Sequence, residues 1–396
     1  MADMAGVERV ALDSVRDLIL VGQPLPFAVL DALGRLLLNQ DQIVGSERQF
    51  DQLVERGAWV DRPKVEEVRR QRAGAVSTSH AVAHRQLSLM DHWQQLTTDL
   101  ETQNRALGAG AGRAEAIQPL VSQLIDLVQR DGDLAIYLCI RQDLKRTLAY
   151  AATHPVHCAV VCALAANGLG WPTARLHSLV GAAMTMNASF IELQNQLAEE
   201  RDPPTKKQME KIHAHPHAGA ELLRQAGLAD TEWLQAVEGH HEQSDGKGYP
   251  RGTGDIGDSA ALLRLVDVYM AKVSPRRARA ALSPHVAAQQ MFQQHGKSPR
   301  EAPLVVSVIR TLGGVHPPGA LVQLKSGEVG VVARRSKTGT APLVATLSNA
   351  RGEPVVSTQF RESADPVFAI SGALLDPTCF QRILPERVYG MLLAQP

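Results

Sequence analysis

The chain has 396 residues, enough for two or three domains, and 44% of them are hydrophobic. Its 41 basic and 41 acidic residues cancel, so no single-sign field exists to hold a nucleic-acid backbone or an anionic membrane surface. Only 4% of the residues are aromatic, so the core must be mainly aliphatic. We therefore expect no nucleic-acid partner, and we expect any anionic ligand to be met by a local pocket.

The cysteines and the N-terminus indicate where the protein works. Cys139, Cys158, Cys162 and Cys379 lack the paired spacing of a zinc finger, which favours buried, reduced thiols. The first eight residues contain no basic segment followed by an apolar one, and no stretch approaches the ~20 apolar residues of a membrane span. These features predict a cytoplasmic location and no membrane span.

Residues 1–60 are predicted to form a small α/β or β-rich domain. Pro24, Pro26, Gly34 and Gly45 separate short apolar runs, a pattern typical of strands and turns. Residues 61–113 are polar and rich in Gln, Arg and Ser, and they are predicted to be a linker with a helix near residues 87–100.

Residues 114–312 are predicted to be a helical domain, because apolar residues recur there at i, i+3 and i+4 spacing, starting with Ile117, Leu120 and Val121. After Gly313 the spacing of the apolar residues changes, and residues 320–332 are typical of a β-hairpin. Residues 313–396 are therefore predicted to be a hairpin extension with a short helical tail at 385–393. The predicted class is mainly α, a central bundle between two small β elements.

Histidine placement is the strongest chemical signal in the sequence. Eight of the fourteen histidines lie between His154 and His241. Two adjacent histidines, His240 and His241, precede a glycine-rich turn, and at a helix end both can point into one cavity, whereas mid-helix neighbours diverge by about 100°. Histidines placed by chance on a helical bundle are the alternative to a metal site.

The turn that follows is a candidate ligand or partner loop. Gly246 and Gly248 permit unusual backbone angles and close backbone approach, and Tyr249, before Pro250, offers a flat face and a hydroxyl group. The alternative is a turn with a purely structural role.

The string at residues 240–250, His-His-Glu-Gln-Ser-Asp-Gly-Lys-Gly-Tyr-Pro, resembles the signature of the HD-GYP family, a branch of the HD metal-dependent phosphohydrolases. The resemblance runs from about residue 135 to residue 281 and implies an HD-type helical bundle. In the family, matching residues hold two or three metal ions that activate water to hydrolyse cyclic-di-GMP. The metal ligands implied here are His154, His215, His240, His241 and Asp267.

One segment departs from the family pattern. Where the family has Leu-Leu-His-Asp-Ile-Gly-Lys, this chain has Met186 for the histidine, Asn187 for the aspartate, Ser189 for the glycine and Phe190 for the lysine. Asn187 is neutral and cannot bridge two cations that repel each other. A thioether is a weak ligand for hard metals, and a phenyl ring cannot neutralise a phosphate. We expect no catalytic residues, and at most one divalent ion, iron or manganese.

Two arginines lie where relatives carry a basic cluster near the substrate phosphates. Arg276 and Arg279 follow Pro275, and arginine forks suit phosphate oxygens. Solvated surface arginines are the alternative reading of the same pair.

The sequence thus predicts a catalytically impaired HD-GYP-like protein that serves as a regulator or binding module in bacterial cyclic-di-GMP signalling. Its candidate partners are cyclic-di-GMP or a related nucleotide, a GGDEF-domain or other signalling protein, and a second copy of the chain. Two alternatives stay open: a weakly active metal-dependent cyclic-di-GMP phosphodiesterase, and a structural pseudoenzyme that works by protein–protein contact.

Overall fold

The computed structural model describes residues 9–20, 23–40, 42, 44, 47–76, 88–141, 150–277, 279–336, 341–355, 358–374 and 388–389. The chain divides into two compact units, residues 1–86 and residues 87–396. Helices dominate, and each unit carries one small antiparallel sheet. The predicted mainly-α class, with a β-rich N-terminal part and a C-terminal sheet, is confirmed.

The first unit is a small sheet with two helices. Its elements are β1 (Arg9–Ala11), a 3-10 helix (Leu12–Leu18), β2 (Val29–Leu30), β3 (Leu36–Leu38), α1 (Glu47–Glu55), β4 (Trp59–Asp61) and α2 (Arg62–Val76). The strand order is β1-β4-β2-β3. Val15, Phe27 and Val60 are buried at its centre and form a core of their own.

The second unit is built around eleven described helices. They are α3 (Leu89–Gly108), α4 (Gln118–Arg130), α5 (Gly132–Ile140), α6 (Tyr150–Gly168), α7 (Thr173–Thr185), α8 (Ile191–Glu199), α9 (Lys206–Gln225), α10 (Thr231–Gly239), α11 (Asp258–Val273), α12 (Pro284–His295) and α13 (Ala302–Thr311). Helix α6 is apolar on nearly every side, as a central helix must be, and fifteen of its residues are buried.

The helix predicted near residues 87–100 is α3. It begins with a capping box, in which Ser88 and Asp91 bond each other's backbone N–H groups. Trp93, Leu96 and Leu100 bury its apolar face in the same core as α4 and α6. The segment predicted as a linker therefore contributes a packed helix, and the exact domain boundaries stay a prediction.

The C-terminal sheet contains β5 (Leu321–Leu324), β6 (Val329–Arg334), β7 (Leu343–Thr346), β8 (Phe360–Glu362) and β9 (Ile370–Ala373), in the order β8-β7-β6-β5-β9. Strands β5 and β6 form the predicted hairpin, whose turn uses Gly327 at φ 86°. Apart from Val388 and Tyr389, the predicted tail at 385–393 lies outside the described residues.

A buried ion cluster ties α11 to the helices that follow it. The Arg264 guanidinium donates to Glu301 at 2.7 Å, and His295 bonds the other carboxylate oxygen at 2.9 Å. Both members of the Arg264–Glu301 pair are buried. Across the described part of the chain, no helix has the length and apolar character needed to cross a membrane.

Candidate metal centre

Three imidazoles meet beside the end of α10, and we call His215, His240 and His241 the tri-histidine group. Helix α10 ends at Gly239, so the two adjacent histidines lie in the turn and both approach His215 of α9. The ring centroids of His215 lie 5.1 Å from His240 and 5.0 Å from His241. One ring nitrogen from each residue falls within 4.8 Å of the others, a spacing that suits a single ion.

The local backbone sets the tautomer of two of these rings. Pro216 has no N–H, which leaves the carbonyl of Ile212 free of its helical partner, and His215 Nδ1 donates to that carbonyl at 2.6 Å. His240 Nδ1 donates to the carbonyl of Val237, near the end of α10, at 2.6 Å. Each ring, when neutral, therefore presents the lone pair of Nε2.

These two lone pairs face each other. His215 Nε2 and His240 Nε2 lie 3.1 Å apart, and two acceptors at that distance repel unless a cation lies between them. Imidazoles that ligate a metal commonly donate their second N–H to a backbone carbonyl, as both rings do here. The residues present thus fit one divalent metal ion.

Burial keeps the tri-histidine group neutral. It lowers the pKa of His215 to about 3, with the neighbouring His240 acting in the same direction. Burial also lowers the pKa of His240 and takes that of His241 well below its ordinary value. Neutral imidazole is the form that binds a metal ion.

The other two predicted ligands form a separate cluster with a cysteine, and we call His154, Cys158 and Asp267 the mixed-donor group. His154 and Cys158 lie one turn apart on α6, and Asp267 lies on α11. His154 Nε2 bonds Asp267 Oδ1 at 2.7 Å and lies 3.5 Å from the Cys158 sulfur. The carboxylate and the imidazole bond each other directly, while His154 Nδ1 is buried without a hydrogen-bond partner among the described residues.

Electrostatics fixes the charge states in the mixed-donor group. Burial opposes ionisation of Asp267, but the hydrogen bond and charge of His154 outweigh it, so the Asp267 pKa stays well below its ordinary value. Burial raises the pKa of the Cys158 thiol well above its ordinary value. Cys139 and Cys162 are likewise free and buried, and Cys379 lies outside the described residues.

Two of the four altered positions, Ser189 and Phe190, contact His215 of the tri-histidine group. Met186 and Asn187 are both buried, and Met186 belongs to the hydrophobic core. The Ser189 hydroxyl donates to the carbonyl of His215 at 3.0 Å. The Phe190 ring stacks on the His215 ring with centroids 4.4 Å apart and planes at 19°. An aromatic ring thus covers the face of one candidate ligand.

The glycine-rich loop packs its tyrosine on the same group. The Tyr249 ring stacks on His241 at 4.6 Å and lies 4.7 Å from His213. Burial raises the Tyr249 pKa above its ordinary value. A Cβ added at Gly248 would come 2.4 Å from the Glu242 Cα, so only glycine fits at this position. Gly246 adopts φ 74° and opens the turn that leads to Pro250.

Glu242 is a residue to which the sequence reasoning gave no role. Its side chain is buried and accepts from the backbone N–H of Arg251 at 2.7 Å and of Thr253 at 3.1 Å. It therefore holds the loop after Tyr249 in place. The sequence feature that could have indicated this role is the position of Glu242 directly after the histidine pair. Cys158 was read only as a core thiol, and His213 only as part of the His215 motif.

The two predicted arginines have different surroundings. Arg276 donates to the Tyr150 hydroxyl at 2.6 Å and covers its ring at 4.6 Å, while Tyr150 stacks on His154 at 4.8 Å. Arg279 is exposed and donates to the carbonyl of Ala271 at 2.5 Å. Arg276 thus reaches the mixed-donor group through Tyr150, and Arg279 stays at the surface.

Comparisons with known proteins agree with this description. Residues 139–299 match the model of the HD domain family. A relative named cyclic di-GMP phosphodiesterase PA4108, from Pseudomonas aeruginosa, is 28% identical over 192 residues, 48% of this chain. The chain spans about half the length of that relative, since the match covers 45% of it.

A solved structure is also similar, Bd1817, described as an HDG"Y"P protein from Bdellovibrio bacteriovorus. Its TM-score is 0.44 at 13% identity, over 76% of this chain and 98% of that one. The HD domain match covers His154, His215, His240, His241 and Asp267, the five implied ligands. With the His-His and Gly-Tyr-Pro string at residues 240–250, it shows that this part of the chain is similar to HD domains of the HD-GYP type.

Proposed function

We propose that this chain is a catalytically impaired HD-GYP-type protein that acts as a regulator or binding module in bacterial cyclic-di-GMP signalling. In this proposal it binds cyclic-di-GMP or a related nucleotide, or a signalling partner such as a GGDEF-domain protein, without useful turnover. Its fold keeps the tri-histidine group and the glycine-rich loop, and it lacks the charges that hydrolysis needs.

The observation that carries the proposal is the stack of Phe190 on His215. The family resemblance places a lysine at this position, where its charge would meet a phosphate group. A phenyl ring at 4.4 Å from the imidazole instead offers no charge. Removing one charge-stabilising group commonly costs 10²–10³-fold in rate, and here a bridging carboxylate is replaced as well.

The metal content follows from the two groups. In the tri-histidine group, opposed lone pairs 3.1 Å apart favour one ion. In the mixed-donor group, His154 Nε2 and Asp267 Oδ1 lie 2.7 Å apart and bond each other instead of an ion. We therefore propose at most one divalent ion, held by the three imidazoles near the negative charge of Asp267. A bound ion of this kind would lower the pKa of a water ligand.

A weakly active phosphodiesterase is the second candidate function. It is favoured by the convergence of three neutral imidazoles, because His₃ sites with an open position occur in hydrolytic zinc enzymes. The two candidates differ in turnover and agree on a single metal ion.

The test combines three measurements on the purified chain: elemental analysis, calorimetry with cyclic-di-GMP, and turnover of cyclic-di-GMP with manganese or iron under anaerobic conditions. We expect at most one metal per chain, no useful turnover, and heat of binding from cyclic-di-GMP or from a partner domain. Robust wild-type turnover that disappears in His240→Ala would overturn the proposal in favour of the enzyme.

A further inference from the structure

A cavity of about 570 Å³ opens beside Phe190. It lies between the end of α3, the start of α8 and one side of α9, and its volume falls within the range of small-molecule pockets. Gly108, Ala109, Ala188, Ala214 and Ala218 line much of it. Because these side chains are so small, they leave the space between α3, α8 and α9 open, and we call this cavity the slot.

The cavity has one aromatic wall. Phe190 and His215 both line the cavity, and their rings stack on each other. A flat aromatic wall favours planar ligands, and stacking of a base on such a ring is tolerant of base identity. Where the family resemblance places a lysine, this chain therefore offers a stacking surface.

The charges at the cavity are uneven. Arg105 is paired with Glu101 and with Glu192, which also lines the cavity, so the arginine is not available to a ligand. Lys211, exposed on α9, also lines the cavity, and among the described residues it has no acidic partner. Lys211 is therefore the lining cation that is available to meet an anionic group in the slot.

The cavity is a different place from the predicted ligand loop. Neither Tyr249 nor Arg276 belongs to the described residues that line it. His215 is the only member of the tri-histidine group among them, and Phe190 stacks on one face of its ring, while His240 and His241 are not among the described lining residues. Binding in the slot should therefore need neither the metal nor the glycine-rich loop.

We propose that this cavity binds a planar aromatic anion, with the ring stacked on Phe190 and the anionic group at Lys211. A nucleoside monophosphate and an aromatic carboxylate share this chemistry. The inference adds a second ligand to the proposed function and does not depend on the metal or on cyclic-di-GMP binding at the loop.

The experiment is calorimetry on metal-free, full-length chain with GMP, 2-naphthoate, guanosine and inorganic phosphate. We expect GMP or 2-naphthoate to bind, guanosine to bind more weakly than GMP, and phosphate alone to give no heat. Phe190→Leu should weaken binding by about 5- to 150-fold, the equivalent of one lost base–aromatic stack. Lys211→Gln should weaken it by up to about 5-fold, as for one exposed ionic contact.

Matched variants keep the test specific. Phe190→Tyr preserves the aromatic face, and Lys207→Gln removes a charge one turn away on α9 that does not line the cavity. Both should bind as the wild type does. Binding of 2-naphthoate but not GMP identifies an aromatic acid as the ligand class and upholds the site. No binding of either probe, binding untouched by Phe190→Leu, or binding abolished by His240→Ala would overturn it.

Discussion

The tri-histidine group and the mixed-donor group lie in the same helical unit and are buried to a similar degree. They differ in the charge and the bonding partners of their donor atoms. In the first, all donors are neutral nitrogens, and two lone pairs meet at 3.1 Å. In the second, an ionised carboxylate bonds an imidazole at 2.7 Å. The first group has no negative charge of its own and favours a cation, whereas the second already contains a bond between a carboxylate and an imidazole, with His154 Nδ1 buried and without a hydrogen-bond partner among the described residues.

Under the proposed function, one helical scaffold has lost half of a metal centre and stays folded. A buried carboxylate without a partner is costly, so Asp267 needs His154 once Met186 and Asn187 offer no charge. The three imidazoles can stay neutral because burial lowers their pKa values. Burying them without a metal ion therefore costs less free energy than burying an unpaired carboxylate. The comparison makes four predictions, ordered by the size of the expected effect.

The largest effect concerns turnover. Restoring Met186→His and Asn187→Asp should rebuild the bridge between the two groups but leave Phe190 on His215. We expect cyclic-di-GMP hydrolysis by this variant to stay at least about 10²-fold below that of an active relative, because one charge-stabilising group is still missing. The assay uses manganese or iron under anaerobic conditions.

The matched variant adds Ser189→Gly and Phe190→Lys to the same background. It should exceed the double variant in turnover if the missing charge limits the rate. Near-family rates in the double variant alone would show that Phe190 and Ser189 matter less than the stacking geometry indicates.

The second effect is on metal affinity and separates the two groups directly. His240→Ala removes one of the three imidazoles and should lower the affinity for a divalent ion by more than about 100-fold, above the loss typical of outer-shell changes. His154→Ala, in the group whose imidazole bonds Asp267, should leave the metal content unchanged. Elemental analysis after equilibrium dialysis measures both variants. Two ions per wild-type chain, or equal losses in both variants, would contradict the comparison.

The sequence predicted the helical class, the C-terminal hairpin and the meeting of His240 and His241 in one turn. Each depends on a local pattern: a hydrophobic period, a Ser-Gly turn, or two histidines placed where a helix must end. The five implied ligands were expected to act together, but the structure divides them into two groups. That division depends on long-range packing of α6 on α11, which no local period reveals.

Other contacts escaped the sequence for the same reason. The spacing of His154 and Cys158 was visible, but only the tertiary fold brings Asp267 to them. The Phe190 change was read as a lost charge, whereas its stack on His215 needs the 188–190 turn to meet α9. Arg276 was read as a phosphate contact, and its bond to Tyr150 joins segments 126 residues apart.

The third prediction uses a buried charge pair outside both groups as a reference. Replacing Glu301 by Gln leaves Arg264 without its counter-charge, so the free energy of unfolding should fall by about 3 kcal/mol at neutral pH. The exposed Glu115→Gln should change it by less than about 0.5 kcal/mol. Urea denaturation of the two variants measures the difference.

The pH dependence of this reference pair has a definite sign. The hydrogen bond from His295 and the charge of Arg264 hold the Glu301 pKa below its ordinary value. The folded state then binds the proton less readily than the unfolded chain does. The contribution is present above the unfolded pKa of about 4.3 and is lost as the pH falls through the folded value. A wild-type advantage over Glu301→Gln that grows on acidification would contradict this.

The smallest effect tests whether Arg276 supports the mixed-donor group or awaits a ligand. Tyr150→Phe keeps the ring on His154 and removes only the hydroxyl that Arg276 binds at 2.6 Å, so stability should fall by about 1 kcal/mol. Arg279→Gln, which removes an exposed arginine from the same loop, is the control and should be close to neutral. If Arg276 has a structural role, Tyr150→Phe should leave cyclic-di-GMP binding unchanged in calorimetry. If nucleotide binding instead tightens when the hydroxyl is removed, Arg276 is held away from a phosphate by Tyr150, and the arginine belongs to the ligand loop after all.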